Sequence, residues 1–74
     1  GIMVFPNPAT NSIIIFSPEN IAAGTYTISD LNGTVILSGK LSGIAVNISS
    51  LHSGIYFIAV SANGNTFFKK IFKQ

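Results

Sequence analysis

Apolar residues recur along this chain with a period of two, in short bursts. Thr25-Tyr26-Thr27-Ile28-Ser29 and Val46-Asn47-Ile48-Ser49 alternate cleanly, and Val35-Ile36-Leu37-Ser38 does so more loosely. Successive side chains of a strand point to opposite faces, so this alternation predicts strands with one face buried and the other in water. Ile13–Phe16 and Ile55–Val60 are apolar on both parities, which predicts strands central in their sheets. The bursts are rich in Ile, Val, Phe, Tyr and Thr, side chains that suit a pleated, half-buried surface. The predicted strands are Ile2–Phe5, Ser12–Phe16, Thr25–Asp30, Val35–Lys40, Ile44–Ile48, Gly54–Ser61 and Thr66–Phe72. Helix has little purchase: the one candidate, Ser17–Ala23, is short and runs into Gly24.

Turn residues fall between the bursts. Asn32-Gly33 separates the third and fourth predicted strands, and Asn63-Gly64 separates the last two. Asn and Gly tolerate the positive φ of tight hairpin turns, so each pair predicts a hairpin. Pro6, Pro8 and Pro18 all lie in the first quarter of the chain, where the missing N–H excludes a central strand and allows a turn or an edge. Seven short strands at this spacing predict an all-β fold, an immunoglobulin-like β-sandwich of antiparallel strands whose two sheets bury their inner faces. The pattern leaves the strand order open.

Composition sharpens this picture. A chain of 74 residues lies near the lower limit for independent folding, which predicts one domain over 1–74. It has no cysteine, so neither a disulfide nor a thiolate metal site helps, and the 47% of residues that are apolar must supply the stability. The apolar bursts are far shorter than the ~20 residues of a membrane-spanning helix. The chain opens with Gly1 and shows no basic segment followed by an apolar one, which reads as an excised or processed fragment with any export signal upstream, and composition leaves the compartment open.

The charged residues are Glu19, Asp30, Lys40, Lys69, Lys70 and Lys73, so the net charge of +2 is concentrated at the end of the chain. With no arginine and no spread of lysines to track phosphates, nucleic acid is not an expected partner. His52 beside Ser53 does not make a catalytic set, because neighbours in an extended chain point apart and Glu19 and Asp30 are the only acids to orient a base. One histidine and two isolated carboxylates fall short of a zinc site, and no Asp-x-Asp run predicts calcium. No catalytic, metal or cofactor residue is therefore expected, and no small-molecule substrate. Asn32-Gly33-Thr34 and Asn47-Ile48-Ser49 are formal glycosylation sequons, the first better explained as a turn.

Four segments, in order, carry a resemblance to a known family: Val4-Phe5-Pro6-Asn7-Pro8-Ala9-Thr10; Tyr26-Thr27-Ile28-Ser29-Asp30-Leu31-Asn32-Gly33; Leu51-His52-Ser53-Gly54-Ile55-Tyr56-Phe57; and Lys69-Lys70-Ile71-Phe72-Lys73-Gln74. Together they resemble the type A C-terminal sorting domains of the type IX (Por) secretion system of Bacteroidetes. Asn11 and Thr34 depart from the acidic and basic residues common at those places in the family. The resemblance implies a secretion signal, not an enzyme. The cargo fused upstream would cross the inner membrane by a separate N-terminal signal, transit the periplasm, and pass the outer-membrane type IX translocon. A sortase-like peptidase would then remove the domain, at or before the start of these residues, and anchor the cargo at the cell surface or release it. The alternative is an immunoglobulin-like binding or spacer module, for carbohydrate or protein, appended to a secreted enzyme.

The motif residues Pro6, Asn7, Pro8, Asp30, Gly33, Leu51, Gly54 and Tyr56 are expected to act structurally, although Pro6-Asn7-Pro8 also reads as a possible recognition edge. Alternation places Lys69, Ile71 and Lys73 on one face of the last strand and Phe68, Lys70 and Phe72 on the other, which predicts an edge strand. Its lysines either guard that edge against other chains or, as the resemblance implies, present Lys69, Lys70, Lys73 and Gln74 to the translocon. Open edges and a small charge also allow weak self-association.

Overall fold

The computed structural model describes residues 1–41, 43 and 45–74. Its strands are β1 (Met3–Phe5), β2 (Ser12–Phe16), β3 (Thr25–Ser29), β4 (Val35–Lys40), β5 (Ala45–Asn47), β6 (Gly54–Ala62) and β7 (Asn65–Lys73). The expected strand at Ile44–Ile48 is present as β5, its first residue lying outside the described residues. Among the described residues no helix forms, and Ser17–Ala23 is a run of bends and turns ahead of β3.

The strands pair antiparallel into two sheets, β1-β2-β5 and β4-β3-β6-β7. The two strands apolar on both parities, β2 and β6, are central, as their sequence predicts, and β7 is an edge. Ile13, Ile15 and Val46 face inward from the smaller sheet, and Ile28, Tyr56, Ile58, Val60 and Ile71 face inward from the larger one. Ile2, Ala9, Leu41, Ile48 and Leu51 close the core from the connections. No polar side chain is buried among the described residues, so the interior is held by apolar packing.

The two hairpins differ in build. At β6–β7 the loop is Asn63-Gly64 alone, with φ of 53° and 80° and Ala62 paired to Asn65. Positive φ at both positions matches the right-handed strand twist, so the ladder runs up to the turn and both strands extend beyond their predicted ends. At β3–β4 the loop is Leu31-Asn32-Gly33, and only Gly33 takes a positive φ, 84°. Asp30 closes it: its backbone N–H donates to Thr34 O at 3.0 Å, and its Oδ1 accepts from the N–H groups of Asn32 and Thr34 at 2.9 and 3.0 Å. Asp side chains that bond their own backbone a few residues on are a standard device for fixing turns.

Tyr56 sets the corner between β5 and β6. Its ring is in the core and its hydroxyl donates to the backbone carbonyl of His52 at 2.7 Å. A tyrosine near the start of this strand, bonded back to the chain just upstream, is the tyrosine corner of immunoglobulin-like sandwiches. Gly54 opens the same strand at φ 155°, and Leu51 N–H donates to Ile48 O at 3.0 Å in the turn before it. Tyr56→Phe keeps the packing and strands the His52 carbonyl. A loss of about 1 kcal/mol in chemical denaturation is expected, and an unchanged midpoint would show that the hydroxyl carries no stability.

Candidate functional site

The site is built where the N-terminal segment crosses the sandwich. β1 belongs to the smaller sheet, at whose edge it pairs with β2. After Phe5 the chain passes through Pro6-Asn7-Pro8 and joins the other sheet, where Ala9 bridges Lys73 in parallel. Pro6-Asn7-Pro8 is thus the crossover between two sheet edges, and β1 already stands before it.

Asn7 is the hinge pin of this crossover. Its Nδ2 donates to Lys70 O at 3.1 Å, and its Oδ1 accepts from Phe72 N–H at 2.8 Å. Two residues further along, Ala9 N–H donates to Phe72 O at 2.7 Å, and Gln74 N–H donates to Ala9 O at 2.8 Å. A side-chain amide carries the same donor and acceptor as a peptide group, so Asn7 stands in for a strand residue where the flanking prolines offer no N–H. The segment 7–9 therefore covers the C-terminal half of the outer edge of β7. Replacing Asn7 by Ala removes both contacts at an exposed site. About 1 kcal/mol is expected, read as faster amide exchange at Phe72 and Gln74 with Ile58 unaffected, since edges open locally before the core does.

The structure distributes the residues expected at the end of the chain. Lys69 has the inward parity of Phe67 and Ile71, but it sits at the open end of the edge and reaches solvent. Lys70 is on the outer face of the sheet, its Nζ 5.7 Å from the centroid of the Phe72 ring. Lys73 is half-buried and its Nζ donates to Gln74 O at 2.9 Å, while Gln74 is exposed and bonded to the crossover. Lys69 and Lys70 together border an open groove of about 460 Å³ with Met3, Val4 and Asn7. Lys73 and Gln74 lie beyond the crossover and do not line it.

No side-chain carboxylate answers these lysines among the described residues. Asp30 is committed to its turn. Glu19 accepts from the Ser17 hydroxyl, which holds its carboxyl below the ordinary range. The remaining expected residues are scaffold: Leu51 and Tyr56 in the core, Asp30 and Gly33 in the first hairpin, Gly54 at the start of β6. The burial of Ala9 against the core and the bond from Asn63 Nδ2 to Asn20 O at 2.7 Å are not legible in the sequence, because their partners are remote along the chain.

Outer faces are unusually apolar. Met3, Phe5 and Phe16 are exposed on the smaller sheet, and Phe57, Phe68 and Phe72 on the larger one, Phe68 at 69%. Single exposed apolar residues are ordinary, and it is contiguous patches of them that mark interaction sites.

These features define a seven-stranded immunoglobulin-like sandwich with a lysine-bearing edge partly covered by its own N-terminal crossover. A family model described as the secretion system C-terminal sorting domain matches residues 3–74, so the chain belongs to the family of type IX secretion C-terminal sorting domains. No curated protein matches the chain. Membership identifies it as a C-terminal type IX sorting signal, of a family that is not catalytic, acting on a fused cargo with the type IX secretion machinery and directing export to the cell surface or outside.

Proposed function

We propose that this chain is a single C-terminal domain of a larger secreted protein, with no enzymatic activity of its own, and that it is read as a folded unit by the outer-membrane translocon. The cargo reaches the periplasm by a separate N-terminal signal. After passage a sortase-like peptidase removes the domain and links the cargo to anionic lipopolysaccharide at the surface, or releases it. Lys69, Lys70, Lys73 and Gln74 carry the recognition. The observation that supports this reading is the family match over nearly the whole chain, 3–74, combined with the placement of Lys69, Lys70 and Lys73 on an edge strand and of Gln74 directly after it.

The test is a fusion of this chain to a periplasmic fluorescent reporter with its own inner-membrane export signal. Surface delivery is expected in a type IX-competent host and none in a strain lacking the translocon. Periplasmic retention in both, with the domain shown to be folded, would favour an immunoglobulin-like binding or spacer module.

A further inference from the structure

Backbone direction along β7 divides its outer edge into a covered half and an open half. Phe72 N–H and both carbonyls, of Lys70 and Phe72, are turned outward, since they bond the crossover. In an antiparallel ladder every second residue points its N–H and C=O the same way. Thr66 and Phe68 therefore also present their N–H and C=O groups outward, as does the Lys70 N–H, with no partner among the described residues. The opening ends at Asn7, whose side chain takes Lys70 O.

The crossover demonstrates what this edge accepts: an extended chain running parallel to β7, held by Ala9 on Phe72 O and Gln74. The open half lacks only such a chain. Its surroundings select one. Lys69 lies in the groove beside Met3 and Val4, and Lys70 lies on the outer face between Phe68 and Phe72. An added strand would direct alternate side chains into these two places. A second copy of this edge would crowd Lys69 and Lys70 of each chain into one short ladder, and like charges in apposed strands repel. Acidic side chains would be matched, and neither acidic side chain of the chain itself, Glu19 or Asp30, competes.

We infer that the stretch of β7 from Thr66 to Lys70, with the groove lined by Met3, Val4, Asn7, Lys69 and Lys70, is a β-addition site for an extended acidic segment of a partner protein. Backbone pairing supplies the attachment and the two lysines supply the choice of partner, admitting acidic strands and turning away basic ones and further copies of the domain. This deepens the sorting reading, on which it rests for its biological setting but not for its geometry.

The probe is a set of synthetic peptides, added to the isotope-labelled 74-residue chain: one alternating valine with glutamate, one alternating valine with lysine, and the glutamate peptide N-methylated on the face that would pair. The glutamate peptide is expected to shift the Thr66, Phe68 and Lys70 amide signals and slow their exchange, and to bind at least tenfold more tightly than either control. The double variant Lys69→Glu, Lys70→Glu is expected to reverse the preference between the first two peptides. Phe68→Pro deletes an outward N–H without touching the ladder to β6, and is expected to abolish protection while the melting curve stays cooperative. Equal binding of all three peptides, or protection at another edge, would overturn the inference. Surface delivery of the wild-type reporter fusion alongside a failed peptide titration would sink the edge alone, whereas a fusion that is not delivered would sink the sorting reading and leave the titration to decide the edge.

Discussion

Ile58→Ala is expected to leave the domain largely unfolded at ordinary temperature. Ile58 sits mid-strand on β6, with Ile28 of β3 opposite on one side and Lys69 of β7 on the other, and is fully buried. Truncating a buried isoleucine to alanine costs about 2–5 kcal/mol, the transfer term plus the cavity left behind. A domain this small with no disulfide has only about 3–5 kcal/mol of net stability, so the loss is of the same size as the whole. The check is urea denaturation, in which the midpoint should fall by at least about 1 M if it can still be measured. Phe68→Ala is the control: Phe68 is larger but 69% exposed, and its removal should cost within about 0.5 kcal/mol. Similar losses for the two would mean that the sandwich interior is not what stabilises the chain.

The second large effect belongs to a residue with no side chain. A Cβ on Gly24 would lie 2.6 Å from Ser61 O, 3.0 Å from Ile21 O and 3.1 Å from the Ala62 Cβ. Two of these neighbours are backbone, and they cannot rotate away. Gly24 O also accepts from Leu41 N–H at 2.9 Å, which ties the start of β3 to the end of β4. Relieving the clash moves β3 off β6 or breaks that tie, so Gly24→Ala is expected to destabilise by about 1–3 kcal/mol, as overpacking does. Gly64→Asn is the comparison, since nothing lies within 4 Å of a Cβ there and Asn tolerates φ near +80° better than other side-chain-bearing residues. A thermal melt of the two variants should separate them by several degrees. If Gly24→Ala melts with the wild type, the close approach of β3 to β6 at Gly24 is looser than described.

How far these features can be read from the sequence depends on the range of the contact. Some strands were legible because burial repeats with the pleat, as at Tyr26 and Ile28 or Val46 and Ile48, and the central β2 and β6 because their apolar runs are unbroken. Asn63-Gly64 announced its hairpin through its own backbone preference. Sheet order was not legible, because nothing local in β3 records that it lies between β4 and β6. Asn7 was legible as part of a rigid proline segment but not as the cap of β7, since its partners are 63 and 65 residues away. The four residues at the chain end fall within its last six positions, yet pleat and crossover send Lys69 and Lys70 to opposite faces and fasten Gln74 to Ala9. Gly24 reads in the sequence only as a helix stop, and the close approach it permits is set by the position of Ser61 O.

Tension reaches this module in a way that its crossover determines. Residues 7–9 and 70–74 run side by side in the same direction and share bonds at Lys70, Phe72 and Gln74. When a cargo drags on the chain ahead of Met3 while the far end of β7 is gripped, the two segments are hauled past one another lengthwise. Those bonds then take the load together, where a peeling geometry would break them one at a time. Survival under traction is governed by the rate of unfolding, so Asn7 and Ala9 bear on how long the domain stays folded while its cargo is moved.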